Sequence, residues 1–563
     1  MAEKRFRLDS LLTYTKKAAD ERMLGEAARE SCMIAAKVIC DTVRTTLGPR
    51  GMNKILAEDA RPLLISKDGY SVITGLIAEH PAARLIIELA KAHGNVHGDG
   101  VTSTLIITGE LIEKADSLLR MGLHPVLIFD GFKKAMEVCL ELMEDLSVSE
   151  DFFSPEEMRY NVVRTSLKEH ANDKLCHDVV EAVKCVKEAK KNIDEYIAIK
   201  EVEGDRFEDT KLIDGSVLFS MLPPGAPQKI EDAKIAIIKD PLTTERAELI
   251  THMVLDPSRM AEFLEEEEKI LGRMVGKIVE VGANVVICMK AIDGRVTGLL
   301  AKHGIMPIKG VDRHGELNHL SLATGANIVK SVWDLKKEDL GAAKLVEYKK
   351  ISEEDIIFFE GCKEAKACTF FVRGGTKEIA AEHSRLIYEA THAVASVFDE
   401  PFVVAGGGAI EIELALRLRK EAQREMTKKQ LPMLAFAEAL EAIPRTLAEN
   451  CGLDALDAVA KLKAMHQDDP HIGICLKNGE VLFTNTLKEG IIEPLSIKRQ
   501  TLIGAVEAVE LILLTDGILR DRERMKKVKE EERRKRLGLE GEAEVREEDI
   551  FTKENLTRKF TYS

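Results

Sequence analysis

Apolar residues recur every three or four positions through AARLIIELAKA (82–92) and STLIITGELIEKADSLLRM (103–121), the spacing of amphipathic helices. On this pattern the chain is helix-rich from 26 to 145, interrupted by two glycine turns, TLGPRG (46–51) and SKDGYS (66–71). Residues 148–217 are more polar and predict helices near 155–190, then a hairpin within YIAIKEVEGDRFEDTKLIDGSVL. Past PPGAPQ (223–228) the period changes. AKIAIIKD (233–240), ANVVICM (283–289), GIMPIKG (304–310), ANIVKSV (326–332), IIFFEG (356–361) and CTFFVRGG (368–375) read as short strands alternating with helices, the signature of an α/β layer domain. One helix there, DPSRMAEFLEEEEKILGRMVGKIVEVG (256–282), is unusually long. Asp256 and Pro257 mark its start, an acidic cap and an early proline, and its EEEE run reads as a solvated face. After 376 helical spacing returns as far as 526, broken by AGGGA (405–409) and NGEVLFTNTLKEGIIEP (478–494).

The order is helical, mixed, α/β, mixed, helical. Such symmetry predicts nested domains: an α/β unit inserted in an intermediate one, itself inserted in a helical unit assembled from both ends of the sequence. A chain of 563 residues is too long for one core and fits about three or four domains or lobes. Hydrophobic content of 45% with 31% charged residues is that of a soluble globular protein. No apolar run reaches the roughly 20 residues of a membrane span, and MAEKRFRLDS has no apolar core like that of a secretory signal. A net charge of −15 argues against nucleic acid as partner. The ten cysteines form no CxxC pair, the closest being Cys362 and Cys368, so free thiols in a reducing cytoplasm are expected.

The stretch NVHGDGVTSTLII (95–107) sets a carboxylate between two glycines just ahead of a helix. It has two readings. One is a turn with ordinary helix capping. The other is a phosphate site: Gly98 and Gly100 permit close backbone approach, the helix start offers free amides, and Thr102 and Ser103 add hydroxyls. Asp99 would then supply a hard oxygen for Mg²⁺ carried on phosphates. The lysine and spacing of a Walker P-loop are absent. LGPRG, KDG and AGGGA could converge on the same ligand, although single glycine turns commonly only punctuate loops.

TLGPRGMNKIL, SKDGYSVI, HPAARLIIELAKA, GDGVTSTLIITGELI, VAGGGAIEIELA and EGIIEPLSIKRQ, in this order and at these separations, closely resemble chaperonin subunits from about 8 to 526. PLTTERAEL followed by the long 256–282 helix is similar to the built-in lid of the group II class, the archaeal thermosome and its eukaryotic cytosolic relatives, and more like the archaeal members. The resemblance implies a multidomain α and α/β chaperonin fold. Its equatorial ATP-binding domain would comprise 1–147 and 402–526, its intermediate hinge domain 148–217 and 368–401, and its apical substrate-binding domain 218–367 with a lid protrusion about 243–275. A charged tail, 527–563, would follow. The implied partners are identical or paralogous subunits in stacked rings and unfolded client proteins, with neither nucleic acid nor membrane.

The resemblance also assigns roles. ATP and Mg²⁺ are the implied ligands. Leu47, Gly48 and Pro49 would line the nucleotide, with Lys67, Gly98 and Gly100 beside it. Asp99 would bind the metal, Thr102 and Ser103 the phosphates, Gly407 and Gly408 the base and ribose, and Glu493 the ribose. Asp68 would lie beside the γ-phosphate as a catalytic residue, with Glu389 as the second.

Several positions depart from the family pattern. Val101 replaces a threonine, and Glu389 stands where an aspartate polarises the attacking water. One extra methylene matters, because small misplacements of a catalytic group cost on the order of 10²-fold in rate. His170 aligns with the lysine that senses the terminal phosphate, with Lys168 two places earlier, and Cys475 replaces an acidic residue. The expectation is a slow ATPase coupled to folding, against a structural or regulatory subunit that binds ATP and hydrolyses it poorly. Gly215 and Gly374–Gly375, at the domain crossings, are the expected hinges. Three features read as chemically idle: Asp399 as a surface loop residue, His93 and His97 as an HxxxH lacking a third metal ligand, and ERRKR (532–536) as a solvated helix.

Overall fold

The computed structural model describes residues 23–57, 64–149, 152–243, 257–310, 315–362, 367–477 and 479–518. Both ends of the sequence build one helical body. Glu26–Thr42, Pro81–His97, Val101–Arg120 and Pro125–Leu146 pack with Ala409–Arg424, Gln430–Leu440, Ala442–Asn450 and Leu495–Leu513. Their shared core includes Ile86, Leu105, Ile112 and Phe132 from one half and Leu418, Phe436 and Val509 from the other. Val101–Arg120 is buried from Thr104 through Ile112 without a break, because helices flank it on several sides. Two starts follow one local rule: Pro81 and Pro125 open their helices while His80 and His124 accept an amide N–H through the imidazole. Proline suits that position because its missing N–H would have no helical partner. Met23–Leu24 runs antiparallel to Gly517–Ile518 and ties the two ends together.

Pro155–Leu167, Asp173–Glu188 and Lys377–Asp399 pack round a three-stranded sheet to form a mixed body. The hairpin expected within 196–218 is absent. Cys368–Gly374 instead separates its two strands, parallel to Ile197–Glu203 on one side and antiparallel to Lys211–Ile213 on the other. Burial explains the order. All seven residues of Cys368–Gly374 are buried, whereas Ile197–Glu203 carries exposed polar positions that suit an edge.

The third body is a sheet of seven strands. Gly215–Phe219, Glu354–Glu360, Gly341–Ile351, Lys229–Ile238, Val285–Cys288 and Met306–Lys309 follow in spatial order, and Ile328–Val329 pairs with Lys229–Ile238 off that path. Only two residues of the expected strand ANIVKSV are extended. Alternate residues feed opposite cores, Ile235, Ile237 and Ile287 on one face and Ala236, Ile238 and Val286 on the other, as the two-residue strand period requires. The long helix is present as Pro257–Val281. It covers the second face through Leu271, Met274, Val275 and Ile278. Glu265, Glu266 and Glu268 are exposed, and Glu267 meets Arg295 at 2.9 Å, so the acidic run is a solvated face. Asp256, most of the 243–256 stretch, ERRKR (532–536) and the tail lie outside the described residues.

Phe370 is fully buried in the strand that joins the mixed body. Phe370→Ala is expected to cost about 3–5 kcal/mol, read as a lower urea midpoint for that body.

Candidate functional site

A cavity of about 680 Å³ opens between the helical and mixed bodies. Leu47, Gly48, Pro49, Asp99, Gly100, Thr102, Ser103, Gly407, Gly408 and Glu493 all line it. Lys67, Asp68, Gly98 and Glu389 do not. Gly98 instead ends Pro81–His97 with φ +71 and packs against His392.

Two helices begin at the cavity. Gly100, with φ +88, is the N-cap of Val101–Arg120 and supplies no capping side chain. The first helical bond runs from Thr104 N–H to Gly100 C=O at 3.0 Å, so the amides of Val101, Thr102 and Ser103 precede the ladder. Gly408 caps Ala409–Arg424 in the same left-handed conformation, also without a side-chain cap. At Gly407 a Cβ would lie 2.5 Å from the Ile474 carbonyl oxygen, and only glycine admits that approach. Two positive helix ends in one cavity favour an anion.

Asp99 is held in place on three sides. Its Oδ1 accepts the Gly100 N–H at 2.6 Å, its Oδ2 accepts the Ser166 hydroxyl at 3.2 Å, and its carbonyl accepts His93 Nε2–H at 3.1 Å. Ser166 comes from the mixed body, so the contact spans two cores. The donor set suits a phosphate-borne magnesium: one hard carboxylate, neighbouring hydroxyls and uncapped amides. No trio of His, Cys, Asp or Glu among the described residues could hold a metal without other ligands. His93 and His97 stack at 5.4 Å.

The departures from the family pattern sort by position. Val101 is 3% exposed and packs in the helical core, away from the cavity lining. His170 packs on Phe207 and His383, whereas Lys168 lines the cavity. Lys168 adopts φ +55, an uncommon conformation for a residue with a side chain. Of the two, Lys168 and not His170 lines the cavity. Cys475 lines the cavity with its thiol pushed up by burial. Asp399 is on the surface, where it pairs with Lys187 at 2.6 Å, but it ends the helix Lys377–Asp399 and is not a loop residue.

Behind Asp99 lies a carboxyl pair. Asp68 caps Gly69–Gly75, its Oδ1 accepting Tyr70 N–H at 3.0 Å and its Oδ2 accepting Ser71 N–H at 2.8 Å. Arg385 Nε and Nη2 reach the same Oδ2 at 2.9 and 2.7 Å. Burial alone would raise Asp68, but the Arg385 charge, a hydrogen bond with Glu389 and the Ser71 amide outweigh it and lower its pKa. Glu389 is driven the other way, well above the usual carboxyl range, first by burial and then by the Asp68 charge. The two shifts oppose each other: Asp68 is held towards its charged form and Glu389 towards its neutral one.

A second charged group sits at Glu493. Lys498 bridges Glu411 at 2.6 Å and Glu493 at 2.9 Å, all within the protein wall. Burial would lower Lys498, yet the two carboxylates raise it. Burial also raises Glu493, with Lys498 opposing.

The TCP-1/cpn60 chaperonin family model matches residues 39–523. The chain belongs to this family. It is 40% identical over 514 residues to a thermosome subunit of Methanopyrus kandleri, covering 89% of this chain and 94% of the relative. The thermosome subunit beta of Methanothermobacter thermautotrophicus is 40% identical over 505 residues, 88% of this chain and 93% of the relative. A thermosome subunit of Pyrococcus abyssi is 39% identical over 510 residues, 89% and 92% of the two chains. These likenesses mark this chaperonin as a group II subunit. No described helix is long and apolar enough to cross a membrane.

Sequence reading of the chaperonin missed Arg385, Ser166 and Lys498 as site residues. Two signals were present: Arg385 stands one helical turn before Glu389, and Lys498 lies within EPLSIKRQ. Ser166 left no signal, because only the fold brings it to Asp99.

His93 supplies a pH test. Burial and His97 lower its pKa from 6.5 to about 4, so the folded chaperonin keeps it neutral. Its contribution is complete above pH 6.5 and is lost as pH falls towards 4, since the unfolded chain takes up the proton first. Stability should drop by about 2 kcal/mol between pH 7 and 5 on this account. His93→Gln should remove that share of the pH dependence in urea titrations.

Proposed function

We propose that this group II chaperonin subunit is an ATP-driven molecular chaperone whose cavity binds one magnesium nucleotide. The carrying observation is the meeting of Asp99, two glycine-capped helix starts and Lys168 at a single cavity. The helical body is the equatorial domain, 1–147 and 402–526; the mixed body is the intermediate domain, 148–217 and 368–401; the seven-stranded body is the apical domain, 218–367. The relatives are thermosome subunits, which supports assembly of this protein with identical or paralogous copies; stacked rings that enclose unfolded clients complete the proposal. The stretch 243–275, of which 244–256 lie outside the described residues, takes the lid role that the resemblance implies.

Hydrolysis of a phosphoanhydride needs positioning and charge stabilisation more than covalent help from the protein. Asp99 holds Mg²⁺, which when bound neutralises phosphate charge. The Val101, Thr102 and Ser103 amides, with the Thr102 and Ser103 hydroxyls, grip phosphate oxygens. Lys168 reaches the terminal phosphate from the intermediate domain, so nucleotide binding and domain position are linked. Leu47, Gly48, Pro49, Gly407 and Gly408 enclose the nucleoside, and Glu493, steered by Lys498, meets the ribose. ATP moves the domains only by contacting the closed state better than the open one. Gly215, at φ +147, and Gly375, whose surroundings leave a Cβ unobstructed, stand at the two chain crossings as hinges.

Asp68 and Glu389 act on the attacking water. Burial and the Asp68 charge push Glu389 towards its neutral form, a poor general base, which favours slow turnover. The same observation favours the second reading, a subunit that binds ATP and scarcely hydrolyses it. Steady-state phosphate release separates them. Slow release by the wild type, rising by up to about 10²-fold in Glu389→Asp, supports the ATPase. Tight ATP binding with no release from either form supports the second reading. Asp99→Ala should abolish magnesium-dependent nucleotide affinity, measured by calorimetry.

A further inference from the structure

One face of Lys377–Asp399 grips the loop that carries Asp68. Glu382, Arg385 and Glu389 stand three and four residues apart on that helix, so they share a face. Glu382 Oε1 accepts the Lys67 N–H at 3.2 Å. Arg385 donates two N–H groups to Asp68 Oδ2, and Glu389 hydrogen-bonds the same carboxyl. The guanidinium also lies 4.1 Å from the centre of the Tyr70 ring, a stacking geometry that fixes its plane.

The two ends of this contact belong to different cores. The loop and Gly69–Gly75 pack with the helical body through Val72 and Ile73, and the helix packs in the mixed body through Leu386, Ile387 and Ala390. Asp68 Oδ2 accepts three N–H donors, one from the backbone of its own turn and two from Arg385. Its direction is thus set jointly by the two bodies. Moving the helix by one hydrogen-bond length would release the two guanidinium bonds and leave only the turn.

We propose that Arg385 is a positioning residue that aims Asp68 for hydrolysis only when the Lys377–Asp399 helix is seated on the 66–69 loop. Neither Arg385 nor Asp68 lines the nucleotide cavity in this structure, and Arg385 acts through the carboxylate it holds. Lysine cannot replace it fully, because an ammonium lacks the paired N–H geometry that holds one oxygen from two directions. This inference rests on the nucleotide site proposed above.

The test uses the full-length assembled protein with MgATP. Arg385→Gln and Arg385→Lys are compared with wild type for nucleotide affinity by calorimetry and for phosphate release. The expected result is unchanged affinity, within about 3-fold, with kcat lower by about 10²-fold in the glutamine variant and intermediate in the lysine variant. Wild-type kcat in Arg385→Lys would overturn the proposal even if Arg385→Gln failed to assemble. Equal loss of affinity and kcat in both variants would also overturn it, since that marks a merely structural role. A wild type that binds MgATP without turnover counts against it too, because a seated Arg385 should leave Asp68 competent. Failure of the wild type to bind MgATP would instead defeat the nucleotide reading itself.

Discussion

Val101, Thr102 and Ser103 begin a buried helix whose first turn no side chain caps among the described residues. Those amides form the positive end of a helix dipole, and the adjoining cavity is where an anion can satisfy them. Much else in the site follows from that demand. Gly100 must be glycine to take φ +88, and its N–H then fixes Asp99. Asp99 in turn is shared with Ser166 of the mixed body. An anion placed there touches elements that are distant in sequence and belong to two cores.

Charge in and around the cavity is arranged in small balanced groups. Lys498 lies between two carboxylates, and Lys477 meets Glu489 at 2.7 Å. Arg385 pairs with Asp68, while burial and the Asp68 charge push the neighbouring Glu389 towards its neutral form. Buried charges are tolerated only when paired in this way. Glu389 hydrogen-bonds Asp68.

The helices and the long 257–281 element were legible because their apolar spacing is local. The GDG stretch was legible because two glycines round an aspartate ahead of a helix say something about backbone before any fold is known. The Cys368–Gly374 strand was recognised as a strand but not in its place, since pairing with residues some 170 positions earlier leaves no periodic trace. The alignment points to His170 with Lys168 two places earlier, and only the fold shows that Lys168 lines the cavity. Arg385 stands one turn before Glu389, which by itself does not name its partner. Its partner lies 317 residues away, and only the folding of both bodies brings the two together.

The central claim is that one cavity, built from both ends of the chain and completed by the mixed body, holds the nucleotide. Photolabelling with an azido-adenine ATP analogue, followed by peptide mapping, tests it directly. Label should concentrate in the wall peptides around 47–49, 443–451, 474–479 and 491–498 and be displaced by unlabelled MgATP. Label concentrated in the seven-stranded body, or untouched by competing MgATP, would contradict the account.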